Sequence, residues 1–211
     1  MNGVKKLQRI PQFARLIKRH GPPKLRRGST PFQSLARAII YQQISGKAAA
    51  SIYKKFVALF GIEVESPIDW ESKSAHQFPT PKEVLKMPDA RLRSAGLSAQ
   101  KTAYLKDLAL KFSDGTIEHE RIHELSNDDI IASLTRVKGI GIWTVQMFLI
   151  FTLNREDVLP TGDFGIRKGF QSIYKLRSLP SPRTMERLAK PWREHASVAS
   201  WYLWRAADDM K

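Results

Sequence analysis

Leu134-Thr135-Arg136-Val137-Lys138-Gly139-Ile140-Gly141-Ile142-Trp143-Thr144 is the stretch on which the reading of this chain turns. A helix over residues 128–136 ends as the chain meets Gly139, turns through Gly141 and restarts with Trp143, Val145 and Met147 heading into a buried helix. Two glycines around one apolar residue let backbone approach a partner closely. The start of the second helix then aims amide N–H groups outward, where the helix dipole favours an anion such as a DNA phosphate. A Gly-x-Gly between helices also serves as a plain turn, and the spacing leaves both readings open. A grip of this kind holds nucleic-acid backbone without reading its sequence.

Outward from the hairpin, the pattern is helical almost throughout. Phe13, Leu16 and Ile17 recur at helix spacing between Pro11 and His20, and Gly21-Pro22-Pro23 stops them. Gly28-Ser29-Thr30-Pro31 opens a helix with Thr30 as N-cap, carrying Phe32, Leu35, Ile39 and Ile40 inward and ending at Tyr41-Gln42-Gln43-Ile44. Ser45 caps a further helix over 48–60, closed by Gly61. Later starts are marked by Thr80-Pro81, by Ser98 ahead of the periodic Tyr104, Leu105, Leu108 and Leu110, and by Ser126 with Asp129 three residues on. No alternating β-branched run competes, so the expectation is an all-α fold of about ten short helices. Ala95-Gly96-Leu97-Ser98 followed by Lys101 weakly echoes Lys138-Gly139-Ile140-Gly141 followed by Thr144: a glycine turn feeding a helix start.

Over 211 residues, 35 Lys and Arg against 20 Asp and Glu give a net charge of +15. With 26% charged and 42% hydrophobic residues the chain is ordinary globular material, so this charge sits on a folded body and calls for a polyanionic partner. The absence of cysteine excludes disulfides, thiolate zinc sites, cysteine-ligated iron–sulfur clusters and cysteine nucleophiles. Met1 to Pro11 has Lys5, Lys6 and Arg9 but no apolar run, which argues against a secretory signal, and Trp143 to Leu153 is too short to cross a bilayer. A soluble protein is expected.

Twenty-two residues beyond Gly141, in Leu159-Pro160-Thr161-Gly162-Asp163-Phe164-Gly165-Ile166-Arg167-Lys168-Gly169, Asp163 follows a Pro and a Gly and sits where a helix N-cap belongs. A cap is all that this position requires on its own. Hairpin and aspartate together, however, resemble the helix-hairpin-helix DNA glycosylase superfamily, whose motif is a Val-Lys-Gly-Ile-Gly-type hairpin followed by a Gly/Pro-rich loop and an aspartate. The likeness extends through Phe32 to Lys47, Gly96 to Leu110 and Lys190 to Trp204, and looks like the alkylation-repair branch, 3-methyladenine DNA glycosylase II.

The resemblance implies a role for each matching residue. Asp163 matches the catalytic aspartate, which stabilises the positive charge that builds on the sugar or orients water toward it. Trp143 stands where strand-cleaving members carry a lysine, which implies a monofunctional enzyme that leaves an abasic site. Trp143 also matches an aromatic wall of the alkylpurine pocket, although core packing accounts equally for a lone Trp; Trp201 matches a second wall, Trp204 reads as core, and Met147 replaces a frequent tyrosine. Tyr41 lines the pocket or packs. Gln43, with Gln42, matches the wedge that fills the stack behind a flipped base. Lys138, Gly139, Gly141, Thr144, Ser45, Lys47, Arg167 and Lys168 are the expected contacts to DNA backbone. Two lobes are implied, 32–112 and 1–31 with 113–211, with the lesion pocket between them and no N-terminal β domain. The implied enzyme excises 3-methyladenine and 7-methylguanine from duplex DNA as a monomer with no obligate protein partner. It uses no cofactor beyond a monovalent cation at the hairpin, and works at the nucleoid of a prokaryote or in a eukaryotic nucleus.

Two rivals compete. His119-Glu120-Arg121-Ile122-His123 is a literal H-E-x-x-H, which on a helix would pair two imidazoles with a glutamate base for zinc hydrolysis. Against it stand flanking charges at Glu118 and Arg121, a helix over 117–125 too short for the site, and no third ligand of evident spacing; His20, His76 and His195 show none. The other rival is a DNA-binding module without enzymatic activity, which needs the hairpin but neither the Asp163 carboxylate nor the Trp143 and Trp201 pocket.

Overall fold

A computed structural model describes residues 2–23, 29–63 and 77–210; Gly28 and His76, named above, lie outside these. The described residues form twelve α-helices and two 3₁₀ turns, with no strand among them. No helix among them is long and apolar enough to cross a membrane. The chain divides into two compact units, Met1–Leu25 with Leu149–Lys211, and Arg26–Phe148.

The central unit holds α3 (Pro31–Tyr41), α4 (Gly46–Ala58), α5 (Pro81–Lys86), α6 (Asp89–Ser94), α7 (Ala99–Ser113), α8 (Asn127–Leu134) and the first two turns of α9 (Ile142–Phe151). Its starts are where the capping residues put them: Thr30, Ser45, Thr80, Ser98 and Ser126 each accept a backbone N–H three residues on. Leu35, Ile39, Phe56, Val57, Leu105 and Leu108 are fully buried. Phe32 packs edge-on to Phe78, on which Tyr53 stacks. Leu105, Leu108, Ala109 and Phe112 form the inward stripe of α7, whereas Leu110, expected on that stripe, is 49% exposed because two residues of helix turn it away from Leu108.

The second unit holds α1 (Asn2–Gln8), α2 (Pro11–His20), α10 (Phe164–Ile173), α11 (Pro182–Ala189) and α12 (Ala196–Asp208). Phe13, Ile166, Phe170, Trp192, Tyr202 and Leu203 centre its core. Gly169 is what lets α10 lie on α12, because a Cβ there would come within 2.2 Å of the Leu203 carbonyl oxygen. The Tyr202 hydroxyl donates to the Gly21 carbonyl at 2.9 Å, pinning the end of α2.

Two expectations need correction. The hairpin segment groups with residues 26–112 and not with the C-terminal part, because the Asp107 carboxylate of α7 accepts the Lys138 N–H at 2.8 Å and ties hairpin to helix. The H-E-x-x-H segment forms no helix over 117–125: His119–Arg121 is a single 3₁₀ turn, with the His119 ring 5.1 Å from that of Phe112. The α-helical i, i+4 geometry that would pair two imidazoles is lost. Among the described residues no three His, Asp or Glu side chains are grouped to hold a metal.

Candidate active site

The two hairpin glycines answer to different constraints. Gly139 has φ +81, and a Cβ on it would lie 2.1 Å from Cδ2 of Tyr104, so the turn requires glycine for both conformation and space. Its carbonyl accepts from Gln42 Nε2 at 2.8 Å. Gly141 is exposed, and a Cβ there would meet nothing within 4 Å. Nothing among the described residues demands glycine at 141, at the point where α9 begins with the Val145 N–H bonded to the Gly141 carbonyl. The room it leaves is on the outside, in front of a helix N-terminus.

Asp107 makes the hairpin rigid. Burial pushes its carboxyl up, but the hydrogen bond from Lys111 at 2.6 Å and the Lys138 amide outweigh that and hold it below the ordinary 3.8. Its side chain is 13% exposed. Asp107→Ala is therefore expected to cost about 1.5–3 kcal/mol, the range for hydrogen bonds to a charged group. The stabilisation is complete above the ordinary carboxyl value and is lost as pH falls through the lower folded-state value, so melting curves of variant and wild type converge at acid pH.

Facing the hairpin within the same unit, the end of α3 carries a strained loop. Gln43 is exposed and adopts φ 57, a left-handed conformation costly for a side chain with a Cβ, and its neighbour Ile44 is 38% exposed. Lys101 on α7 anchors this loop, its ammonium donating to the Ile40 and Gln42 carbonyls at 2.7 and 2.8 Å, with burial pulling its pKa down. Gln43, Ile44, Lys101, Tyr104, Gly139 and Trp143 line a groove of about 770 Å³, to which Tyr41 and Gln42 also contribute. Trp143 is 54% exposed there, so core packing does not account for it.

In the other unit Asp163 is the N-cap of α10, half-buried, its Oδ1 accepting the Ile166 N–H at 2.8 Å. The same oxygen accepts the indole N–H of Trp204 at 2.9 Å. Gly165 leaves room for the pair, since a Cβ on it would come 2.8 Å from Trp204 Cδ1 and 3.1 Å from Asp163 Oδ1. Residues 36–194 match the HhH-GPD superfamily base excision DNA repair protein family. The chain belongs to the HhH-GPD superfamily. It is 33% identical over 197 residues to DNA-3-methyladenine glycosylase 1 of Schizosaccharomyces pombe, covering 93% of this chain and 81% of that protein. The structure of the S. pombe 3-methyladenine DNA glycosylase (Mag1) in complex with abasic DNA superposes with TM-score 0.77 over 97% of this chain and 96% of that one, at 33% identity. A Bacillus halodurans DNA-3-methyladenine glycosidase structure gives TM-score 0.84 over 100% and 91%, at 29% identity.

Within the HhH-GPD frame the expected residues divide. Tyr41, Gln42, Gln43, Gly139 and Trp143 do meet at one groove, but Gln42 spends its amide on Gly139 and leaves Gln43 as the projecting side chain. Tyr41 is half-buried, the Arg37 guanidinium 4.3 Å from its ring centre and burial raising its pKa. Met147 is half-buried one turn beyond Trp143. Trp201 packs edge-on to Tyr202, with the Arg205 guanidinium 4.8 Å from its ring centre. Lys138 and Lys47 are exposed as phosphate contacts would be, whereas Thr144 is only 9% exposed and meets an outside phosphate through its backbone at most. The Ser45 hydroxyl caps α4 at the Ala48 N–H. Arg167 Nε donates to the Pro180 carbonyl at 3.2 Å, and Lys168 lies 5.0 Å over the Phe164 ring, so both are partly committed within the unit. Trp204 packs against the core, as its sequence setting implies, but its bond to Asp163 has no signal in the sequence. Phe164, 59% exposed beside Asp163, is a further residue of this surface. A signal for Phe164 existed, a large apolar residue at the first position of a helix, where solvent is the usual neighbour.

Proposed function

We propose that this chain is a monofunctional DNA glycosylase that flips alkylated purines, 3-methyladenine and 7-methylguanine, out of duplex DNA and hydrolyses their N-glycosidic bonds. The observation that carries this reading is the half-buried Asp163 carboxylate, held at a helix N-terminus by two N–H donors. An N-alkylated purine carries positive charge, so when the bond from C1′ breaks its electrons neutralise the base, and the positive charge passes to the sugar. A fixed carboxylate stabilises that cation and steers water to C1′; the water loses a proton and an abasic deoxyribose remains. No protein amine enters the scheme, in keeping with Trp143 where strand-cleaving relatives have lysine. Trp143 supplies an aromatic face for a cationic base, Gln43 the wedge, and the hairpin with Lys47 and Lys138 the hold on phosphates. The reaction balances without a cofactor. The enzyme acts as a monomer wherever its genome lies, at the nucleoid of a prokaryote or in a eukaryotic nucleus.

The test incubates the protein with methylated duplex DNA, measures free base by chromatography and strand breaks with and without alkali, and attempts borohydride trapping. Free methylpurine, breaks only after alkali and no trapped adduct are expected. Binding without base release would instead make the chain a DNA-holding module, and alkali-independent breaks or a trapped adduct would make it bifunctional. Duplex affinity should fall steeply with salt, as for any protein that neutralises several phosphates.

A further inference from the structure

We infer that Trp204, which packs against the core of its unit, is in addition a positioning residue for the Asp163 carboxylate, acting through its indole N–H and not as a wall of the base pocket. The inference rests on the glycosylase reading and deepens it. Indole nitrogen donates and never accepts, so Trp204 presents a permanent donor to the carboxylate. The Ile166 amide and the Trp204 indole reach the same oxygen, Oδ1, at 2.8 and 2.9 Å. One donor, the amide, is what every N-cap has and leaves the carboxylate some freedom of rotation. The second arrives from a different helix, forty-one residues on, and defines that rotation.

The indole is itself held. Its ring stacks with Phe151, centroids 5.9 Å apart and planes 25° from parallel, and its Cδ1 lies close to Gly165, where any side chain would collide with it. Trp204 is only half-buried, which a residue serving the core alone would not need to be. A tryptophan stacked on Phe151, close against Gly165 and bonded to the carboxylate delivers the acid in one orientation, which is the pre-organisation that stabilising a transient sugar cation demands.

Trp204→Phe keeps an aromatic ring against Phe151 but removes the donor together with some packing. Single-turnover excision of methylpurine, assayed well below the variant's melting temperature, is expected to slow roughly 10-fold or more, the effect of one hydrogen bond to a charged group, while affinity for abasic-site duplex stays within about twofold. Gly165→Ala should reproduce this split from the other side by displacing the indole. A readout independent of activity comes from the indole N–H signals of the five tryptophans in a ¹H–¹⁵N spectrum. The one missing in Trp204→Phe should move in Asp163→Asn while the others stay. An unchanged excision rate in Trp204→Phe, a loss of rate matched by an equal loss of DNA affinity, or an unmoved indole signal in Asp163→Asn would each overturn the assignment. Failure of the glycosylase reading is separate, since it would show as no base release by the wild type.

Discussion

Asp163→Asn removes base release while leaving fold and DNA binding in place. Asparagine caps a helix as well as aspartate does, and its side-chain oxygen can keep both the Ile166 and the Trp204 donors, so stability should change by no more than about 0.5 kcal/mol. What disappears is the negative charge opposite a sugar that becomes cationic only as the bond breaks. An interaction made in the transition state alone raises the rate without tightening substrate binding, so its loss should appear in the excision rate and not in affinity. The expected fall is on the order of 10²–10⁴-fold, the span covered by positioned acid–base groups and electrostatic donors. Single-turnover assays with methylated duplex, set beside binding to abasic duplex, measure both quantities. A variant as fast as wild type would leave Asp163 with the role of a helix cap and nothing more.

The second large effect is on the hairpin, where Gly139→Ala and Gly141→Ala should behave as opposites. At 139 the left-handed backbone penalises a Cβ by about 1–2 kcal/mol, and the forced contact with the Tyr104 ring adds about 1–3 kcal/mol of overpacking. Neither strain can relax cheaply, because the turn is pinned by Gln42 at its carbonyl and by Asp107 at the preceding amide. Thermal unfolding should therefore start roughly 5–15 °C lower for a chain of this size. At 141 the Cβ of an alanine meets nothing within 4 Å among the described residues, so stability should be unchanged within about 0.5 kcal/mol. Weaker binding of Gly141→Ala to undamaged duplex, with an unaltered melting curve, would locate the phosphate in front of α9. Equal binding would return the hairpin to the status of a turn.

Much of the helical framework was legible beforehand for a local reason. Thr30, Ser45, Thr80, Ser98, Ser126 and Asp163 are caps whose effect extends only three residues, and a three-residue interaction is written in the chain itself. The same locality makes the Gly139 turn readable, since a left-handed position at the end of a helix selects glycine. Where the reading failed, the interaction spans many residues or depends on helical phase. Leu110 looked like its neighbours until the phase of α7 turned it outward. The H-E-x-x-H spacing means a ligand pair only on a helix, and that helix does not form. The Gln42 amide finds its acceptor on a carbonyl ninety-seven residues away, a partner that no local pattern announces.

The candidate site divides the same way. A basic chain without cysteine and a Gly-Ile-Gly turn already point to DNA, and Asp163 reads as a helix cap, because charge, backbone freedom and capping are properties of single residues and short segments; that this carboxylate is a catalytic acid is implied only by the family resemblance. The orientation of that acid is another matter. It depends on Trp204 reaching Asp163 from another helix and on Gly165 making way for the indole; in the other unit the hairpin and the loop after α3 are held by Asp107 and Lys101 of α7. None of these partners is near its target in the chain. They meet because helices with buried apolar faces pack in one register, and the hydrophobic effect that drives the packing is indifferent to which polar groups it brings together. Donor and acceptor therefore become partners only once the fold exists.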